Sequence, residues 1–251
     1  MRAPVTLPAL SWGSPHATRH ALLIHGLGSN GALMWRFGVA LADAGWQAQA
    51  VDLRGHGLAP RVLDYSIAAY AADVAHTGAP DGDPWDLVIG HSLGAAAATL
   101  ASADVPAWTR RLVLIDPAIH LGDRDRQVVR NSQDRSFADP SEDTVRAEHP
   151  DWHPQDIELK ALSARQASRW AVEQTRIQNT PWDVRTSASR LTVPTHIIAS
   201  DPKVYSIFRG PLAEDVLRNP IITMSVVAGA GHSPHRDKPE DTLRQLWEAL
   251  G

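Results

Sequence analysis

Short apolar runs recur along the chain and are separated by longer segments of helical composition. The runs of strand type occupy residues 21–24, 47–51, 87–89, 112–115, 196–199 and 222–227. The helical segments occupy residues 32–44, 66–75, 95–103, 212–217 and 240–249. Strands that alternate with helices predict an α/β fold, with a mostly parallel, doubly wound sheet. Most of these runs are apolar rather than strictly alternating, which is typical of burial on both faces of the sheet.

One long segment interrupts this alternation. Residues 120–190 are polar and charged, contain no convincing strand, and include Trp152, Trp170 and Trp182. We expect a helical cap here, inserted into a core formed by residues 1–119 and 191–251. An insertion at this point would lie above the carboxyl ends of the strands, where α/β sheets bind ligands. The three tryptophans either line a substrate pocket or anchor the insertion to the core.

The composition excludes several classes of protein. The chain has 251 residues, 43% hydrophobic and 21% charged, with a net charge of −4, so no basic surface for nucleic acid is expected. No run approaches the roughly 18 apolar residues of a membrane span, and the first residues lack the apolar centre of a signal peptide. We therefore expect a cytoplasmic protein with no membrane partner. The absence of cysteine excludes a thiolate nucleophile and thiolate metal ligands.

The most informative motif is a Gly-x-Ser-x-Gly pattern at a predicted strand-to-helix turn. Residues 90–94 read GHSLG, directly after the apolar run at 87–89 and before an alanine-rich helical segment. This context places the hydroxyl of Ser92 above the strand ends, as a nucleophile requires. The N–H of Leu93 lies at the start of the helix, where it has no helical partner and can face a developing negative charge.

A serine nucleophile needs a base, and histidine has a suitable proton affinity near neutral pH. Among twelve histidines, His232 stands in a glycine-rich loop directly after the last apolar strand. That loop is expected at the same edge of the sheet as Ser92. His235 is the nearest competitor, and we prefer His232.

The base needs a carboxylate to hold its tautomer, and two aspartates end strands at the correct edge. Asp201 follows the strand before the one that leads to His232, and Asp116 follows the strand after Ser92. Each could instead be a turn residue, since a proline follows it. Asp201 is the preferred acid and Asp116 the alternative.

Two glycine-rich loops complete the pattern. Residues 25–28 read HGLG after the first apolar strand, and the N–H of Leu27 could form an oxyanion hole together with that of Leu93. Residues 52–57 read DLRGHG after the next strand, and this segment is expected to be a braced tight turn. His25 is more consistent with a structural role than with a catalytic one.

In this order, the four motifs resemble those of the α/β-hydrolase superfamily, specifically its small members with a helical cap. The resemblance implies Ser92 as nucleophile, His232 as base, an oxyanion hole from the Leu27 and Leu93 amides, and residues 120–190 as the cap. The chain departs from the usual pattern at the acid, because residues 199–203 read ASDPK and lack the expected glycine. Some members carry the acid after the strand that follows the nucleophile, which keeps Asp116 as an alternative.

The expected reaction is hydrolysis of a small, apolar carboxylic ester or lactone through an acyl-enzyme, with no metal and no organic cofactor. The same constellation serves carbon–carbon bond hydrolases and cofactor-free haloperoxidases, and some relatives are ligand-binding receptors. These alternatives stay open at the level of sequence.

Overall fold

A computed structural model describes residues 4–251, so residues 1–3 of the predicted core lie outside the described part. This part forms nine strands and eleven α-helices. The strands are β1 (Ala9–Trp12), β2 (His20–Ile24), β3 (Gln47–Val51), β4 (Leu87–His91), β5 (Leu112–Ile115), β6 (His120–Leu121), β7 (Trp182–Asp183), β8 (Thr195–Ser200) and β9 (Ile222–Val227). The helices are α1 (Trp35–Asp43), α2 (Ile67–His76), α3 (Leu93–Asp104), α4 (Asp123–Ala138), α5 (Glu142–Glu148), α6 (Pro154–Gln166), α7 (Arg169–Gln178), α8 (Arg185–Ser189), α9 (Pro211–Val216), α10 (Pro234–Asp237) and α11 (Pro239–Leu250).

Seven strands make one sheet in the order β1-β3-β2-β4-β5-β8-β9. Every pair is parallel except β1 with β3, which is antiparallel at the edge. The predicted mostly parallel sheet is thus confirmed, and each of the six predicted strands is present. The edge strand β1 was not predicted, because its four residues alternate between exposed and half-buried positions and form no apolar run.

Helices cover both faces of the sheet. Leu22 and Ile24 pack with α2 and α3 on one face, whereas Ala21 and Leu23 pack with α1 and α11 on the other. Side chains alternate across a strand, so a strand that is buried on both faces must be apolar at every position. This arrangement brings the carboxyl ends of β2, β4, β5 and β8 to a single edge.

Residues 120–190 lie between β5 and β8 and contain α4 to α8. The expectation that this segment has no strand is wrong at its two ends, because β6 pairs with β7 as a two-residue antiparallel bridge. The bridge brings the entrance and exit of the segment together. Farther out, the Asp156 carboxylate of α6 accepts hydrogen bonds from the Trp35 indole and the Arg36 guanidinium of α1. Within residues 4–251, no helix is long and apolar enough to cross a bilayer.

Candidate active site

The turn between β4 and α3 has the predicted strand–turn–helix geometry. Ser92 follows β4 with φ 52° and ψ −112°, a strained conformation for a residue other than glycine, and α3 begins at the next residue. A Cβ on Gly90 would lie 2.8 Å from Cα of Ala95, and one on Gly94 would overlap the carbonyl oxygen of Ile24. Only glycine allows the helix to pack this closely on the strands.

Ser92, His232 and Asp116 form a continuous line of contacts. The Oγ atom of Ser92 lies 3.0 Å from Nε2 of His232, and Nδ1 of His232 lies 2.6 Å from Oδ2 of Asp116. The two ring nitrogens therefore face a hydroxyl on one side and a carboxylate on the other. A neutral imidazole with its proton on Nδ1 donates to Asp116 and leaves Nε2 free to accept the serine proton.

The Asp116 carboxylate is fully buried and is held by several donors. It accepts hydrogen bonds from the backbone N–H groups of Ser200 and Ile207 and from the hydroxyl of Ser206. Asp116 itself has φ 34°, so the chain turns sharply at the end of β5 and directs the side chain toward the loop of His232. These hydrogen bonds hold the buried carboxylate in place beside the ring of His232.

The preference for Asp201 as the partner of His232 is wrong. The Asp201 carboxylate accepts from the N–H groups of Lys203 and Gly229, each at 2.8 Å, and these hydrogen bonds lower its pKa. The N–H of Asp201 also donates to the carbonyl of Ala230 at 2.9 Å. Asp201 thus stabilises the loop that carries His232. Its carboxylate accepts hydrogen bonds from backbone N–H groups, whereas Asp116 is the carboxylate that contacts the His232 ring.

Two further histidines surround His232. His91 is buried, and its Nε2 lies 2.9 Å from the carbonyl oxygen of His232, to which it donates. Burial and the nearby His232 lower the pKa of His91 well below its usual range, so the ring stays neutral. His235, the competing candidate, is buried against Phe37 and is not bonded to Ser92.

The loop after β2 presents the N–H of Leu27 to the site. Among the hydrogen bonds of residues 4–251, none engages the N–H of Leu27 or of Leu93, and both residues line a cavity with Ser92. Nδ1 of His25 lies 2.7 Å from the carbonyl oxygen of Gly26 and donates to it. Because C=O and N–H point in opposite directions across a trans peptide, this contact turns the N–H of Leu27 away from His25. A Cβ on Gly26 would lie 3.2 Å from Cβ of Ser92, so the loop passes directly beside the serine.

The tautomers of His25 and His56 follow from their partners. Nε2 of His25 accepts from the N–H of Leu53, and Nε2 of His56 accepts from the N–H of Gly28, each at 3.0 Å. Burial lowers the pKa of His25 to about 4 and that of His56 to about 3, so both rings are neutral at physiological pH. The histidines of the HGLG and DLRGHG motifs therefore fix the loop, which agrees with the expected structural role of His25.

Residues 120–190 hold the same loop from the other side. Gln133 of α4 donates to the carbonyl of Leu27 at 3.3 Å. Lys160 and Ser163 of α6 both lie within hydrogen-bond distance of the carbonyl oxygen of Gly28, at 3.2 and 3.3 Å. The peptide units next to the Leu27 N–H are thus bonded to the core on one side and to the inserted segment on the other.

Two cavities meet at Ser92. The smaller one, of about 310 Å³, contains Leu27 and Leu93 and has an apolar wall of Ala118, Leu121, Trp182 and Ile207. The larger one, of about 810 Å³, also contains His232 and is lined by more polar side chains, Lys160 and Arg236 among them. Within the described part of the chain, no cluster of His, Asp or Glu side chains is suited to holding a metal ion.

The three tryptophans of residues 120–190 have different environments. Trp182 is 3% exposed, lines the smaller cavity, and donates its indole N–H to the carbonyl of Ala118. Trp152 is 8% exposed, lines the larger cavity, and donates to Asp237 at 2.7 Å. Trp170 is 47% exposed and packs on Tyr65, so the prediction that it lines the site is wrong.

Comparison with known proteins places this geometry in a family. The sequence profile of the alpha/beta hydrolase family matches residues 21–245. The chain belongs to this family. The chain is therefore a hydrolase by family.

Individual relatives differ in the reactions that their names state. The alpha/beta hydrolase chain is 28% identical over 240 residues to the 2-(acetamidomethylene)succinate hydrolase of Mesorhizobium japonicum, covering 90% of this chain and 85% of that protein. It is 35% identical to lipase LipV of Mycobacterium tuberculosis over 116 residues, which span 46% of this chain and 44% of the lipase. The crystal structure of E-2-(acetamidomethylene)succinate hydrolase superposes with a TM-score of 0.83 at 24% identity, covering 98% of this chain and 95% of that one.

Several residues of this hydrolase were missed by the sequence motifs. Ser206, Gln133, Lys160 and His91 all contact the predicted catalytic groups or their loops. His91 lies inside the GHSLG motif and could have been singled out as the residue beside the nucleophile. The other three lie in segments without a motif, and only the tertiary fold brings them to the site.

Proposed function

We propose that this chain is a serine hydrolase that cleaves a carboxylic ester or a lactone through an acyl-enzyme on Ser92. The observation that carries the proposal is the pair of contacts at His232, 3.0 Å to the serine hydroxyl and 2.6 Å to Asp116. A serine hydroxyl becomes nucleophilic at neutral pH when such a base accepts its proton. The match to the family profile supports the same interpretation.

In the first half of the reaction, Nε2 of His232 takes the proton of Ser92 while Oγ bonds to the substrate carbonyl carbon. The carbonyl oxygen becomes an oxyanion, and the free N–H groups of Leu27 and Leu93 donate to it. When the tetrahedral intermediate collapses, the bond to the leaving group breaks. The leaving oxygen receives the proton from His232, and the acyl group stays on Ser92.

In the second half, water gives its proton to His232 and its oxygen bonds to the acyl carbon. Collapse of the second intermediate returns the proton to Ser92 and releases the carboxylic acid. Asp116 accepts the Nδ1–H throughout and stabilises the imidazolium without taking its proton. The chemistry needs no cofactor.

We further assign residues 120–190 the role of a cap over this site, with Trp152 and Trp182 as cavity walls. The hydrogen bonds of Trp152 to Asp237 and of Trp182 to Ala118 join the segment to the core on both sides of Ser92. Aromatic side chains commonly provide the walls of small-molecule pockets.

The test is a panel of short-chain p-nitrophenyl esters and lactones, assayed with the wild type and Ser92→Ala. The panel also includes 2-(acetamidomethylene)succinate, because the relative that aligns along most of the chain is named for it. Ser92→Ala should lose about 10⁴-fold or more in kcat, since removal of a triad nucleophile costs up to about 10⁶-fold. Ser132→Ala is the matched control, because Ser132 lines the larger cavity without a histidine partner and should stay within about threefold.

A covalent probe identifies the nucleophile directly. A fluorophosphonate should add once to the wild type at Ser92, as read by peptide mass spectrometry, and should not add to Ser92→Ala. If the protein binds members of the panel without turning any over, the proposed activity is wrong and a receptor function takes its place.

A further inference from the structure

The larger cavity contains a lysine that forms no ion pair with any described residue. Lys160 lies on α6, and its Nζ makes one hydrogen bond, to the carbonyl of Gly28 at 3.2 Å. An ammonium has three N–H donors, so two of them are left for another acceptor. Among the ion pairs of residues 4–251, none involves Lys160, which means that no carboxylate oxygen lies within 4.0 Å of Nζ.

A second cation, Arg236, faces Lys160 in this cavity. Arg236 of α10 is buried, belongs to no ion pair among the described residues, and has Nε and Nη1 without hydrogen-bond partners. Burial and the charge of Arg236 lower the pKa of Lys160 to about 8, whereas Glu148 acts in the opposite direction. Burial is the main cause of the lowered pKa values of His149 and His56, and the charge of Lys160 adds a smaller contribution in the same direction.

The acidic side chains of the wall are engaged elsewhere or exposed. Glu148 is paired with Arg135 at 3.3 Å. Asp237 accepts from the indole of Trp152 and from the N–H of Gly231. Asp151 lies at the exposed edge of the cavity. A half-buried cation in a reaction cavity with no counter-ion is arranged to meet an anion from outside the protein.

The position of His232 shows which part of a substrate would meet this lysine. In the proposed reaction His232 protonates the leaving group, so the leaving group must lie in the cavity that contains His232. His232 lines the larger cavity with Lys160 and does not line the smaller, more apolar one. The acyl group then occupies the smaller cavity and the leaving group the larger.

We propose that Lys160 binds an anionic group, a carboxylate or a phosphate, carried by the leaving group of the substrate. The inference rests on the proposed function, because the role of His232 sets which cavity holds the leaving group. It refines the expectation of an apolar substrate: the acyl part is apolar and the leaving part is charged.

The test uses two butanoyl esters with a charged and an uncharged leaving group, meta-butanoyloxybenzoate and its methyl ester, with release of butanoate as the readout. The wild type should show a kcat/KM about tenfold or more higher for the anion, equivalent to about 1.4 kcal/mol of added transition-state binding. Lys160→Met should bring this ratio close to one, and Lys160→Arg should retain most of it because the positive charge remains. A ratio that Lys160→Met leaves unchanged would overturn the proposal.

Two control variants separate charge from structure. Ser163→Ala removes the other donor near the Gly28 carbonyl without removing a charge, so the ratio between the esters should be unchanged. Arg176→Met removes a cation of the smaller cavity and should also keep the ratio. If Lys160 only positions the loop, Lys160→Met would slow both esters equally. If Arg176→Met is the variant that abolishes the preference, the anion lies in the other cavity and the proposal is wrong.

The ratio also has a defined pH dependence. The protonated ammonium attracts the anion, so the preference is present below the pKa of Lys160, about 8, and is lost as pH rises through it. Groups that affect both esters alike cancel in the ratio of kcat/KM values. A flat ratio in the wild type, or a ratio in Lys160→Met that still titrates, would contradict the assignment.

Binding to Ser92→Ala distinguishes failure of this inference from failure of the proposed function. By calorimetry, meta-hydroxybenzoate and meta-hydroxyphenyl phosphate should bind, and methyl meta-hydroxybenzoate should bind about tenfold more weakly; adding Lys160→Met should remove the difference. If anion binding depends on Lys160 but no ester is hydrolysed, the proposed function fails and the anion site stands. If both esters are hydrolysed equally and the anions do not bind better, the hydrolase stands and the anion site fails.

Discussion

The core and the segment at residues 120–190 contribute to the same site in different ways. The core provides Ser92, Asp116 and His232 from strand ends, together with the buried histidines that fix the loop of Leu27. The inserted segment provides cavity walls and three side chains that reach the loop carbonyls. Its helix α4 buries no residue fully. The proposed catalytic groups thus come from the buried ends of the sheet, and much of the cavity wall comes from a segment with a polar surface.

The largest expected effect concerns the two aspartates of the core, Asp116 and Asp201. Asp116→Asn should lower kcat by about 10⁴-fold, because the amide no longer holds the tautomer of His232 that accepts from serine. Asp201→Asn should cost less than about tenfold, since the side chain only braces the loop at Gly229. Steady-state kinetics on one p-nitrophenyl ester measures both, and equal losses would mean that loop position matters as much as the carboxylate contact.

A smaller effect is expected from breaking one ion pair in each region. Arg54 and Asp73 form a buried pair in the core, with side chains 4% and 0% exposed. Asp73→Asn leaves the Arg54 charge buried and unpaired, which should destabilise the fold by about 3–5 kcal/mol. The pair Arg185–Asp183 of the inserted segment is 45% and 32% exposed, so Asp183→Asn should cost less than about 1 kcal/mol. Urea unfolding of both variants gives the comparison, and similar losses would contradict the expected difference between a buried pair and an exposed one.

The smallest expected effects concern two tryptophans of the segment. Trp182→Ala enlarges the smaller cavity and should lower kcat/KM for a butanoate ester by about tenfold, with less change for an acetate ester, because the longer acyl chain loses apolar contact. Trp170→Ala should leave both values within about twofold, since the ring is exposed and lines neither cavity. Thermal unfolding verifies that each variant is folded. A selectivity change in Trp170→Ala alone would place the acyl group elsewhere.

How far the sequence could predict the site also differs between the two regions. The turn at Ser92, the strands on either side of it and the loop of His232 follow from local patterns, and the structure contains each of them. The preference for Asp201 over Asp116 is wrong because both aspartates follow the ends of adjacent strands in the same way. Only the left-handed backbone of Asp116 and the backbone donors around Asp201 separate them, and neither is visible in the residue types alone.

The inserted segment was predictable only as helical. Its three tryptophans all lie among polar residues in the sequence, yet one is exposed and two are buried. The two buried rings contact residues far away in the chain, Ala118 and Asp237. Lys160 and Gln133 lie on polar helices where charged and amide side chains are common. Their partners are carbonyls of a loop more than a hundred positions earlier in the chain. Periodicity reports which face of a helix is buried, and it carries no information about which distant backbone group that face meets.

The loop after β2 is hydrogen-bonded both by the core and by the inserted segment, and this has a consequence for engineering. His56 fixes the N–H of Gly28 from the core, while Gln133, Lys160 and Ser163 reach the carbonyls of Leu27 and Gly28 from the inserted segment. A chimaera that exchanges residues 120–190 for those of another alpha/beta hydrolase would therefore alter the donor to the oxyanion together with the pocket. Transplanted segments should keep turnover only when they bring hydrogen-bond donors to these two carbonyls, so the segment is not an interchangeable module.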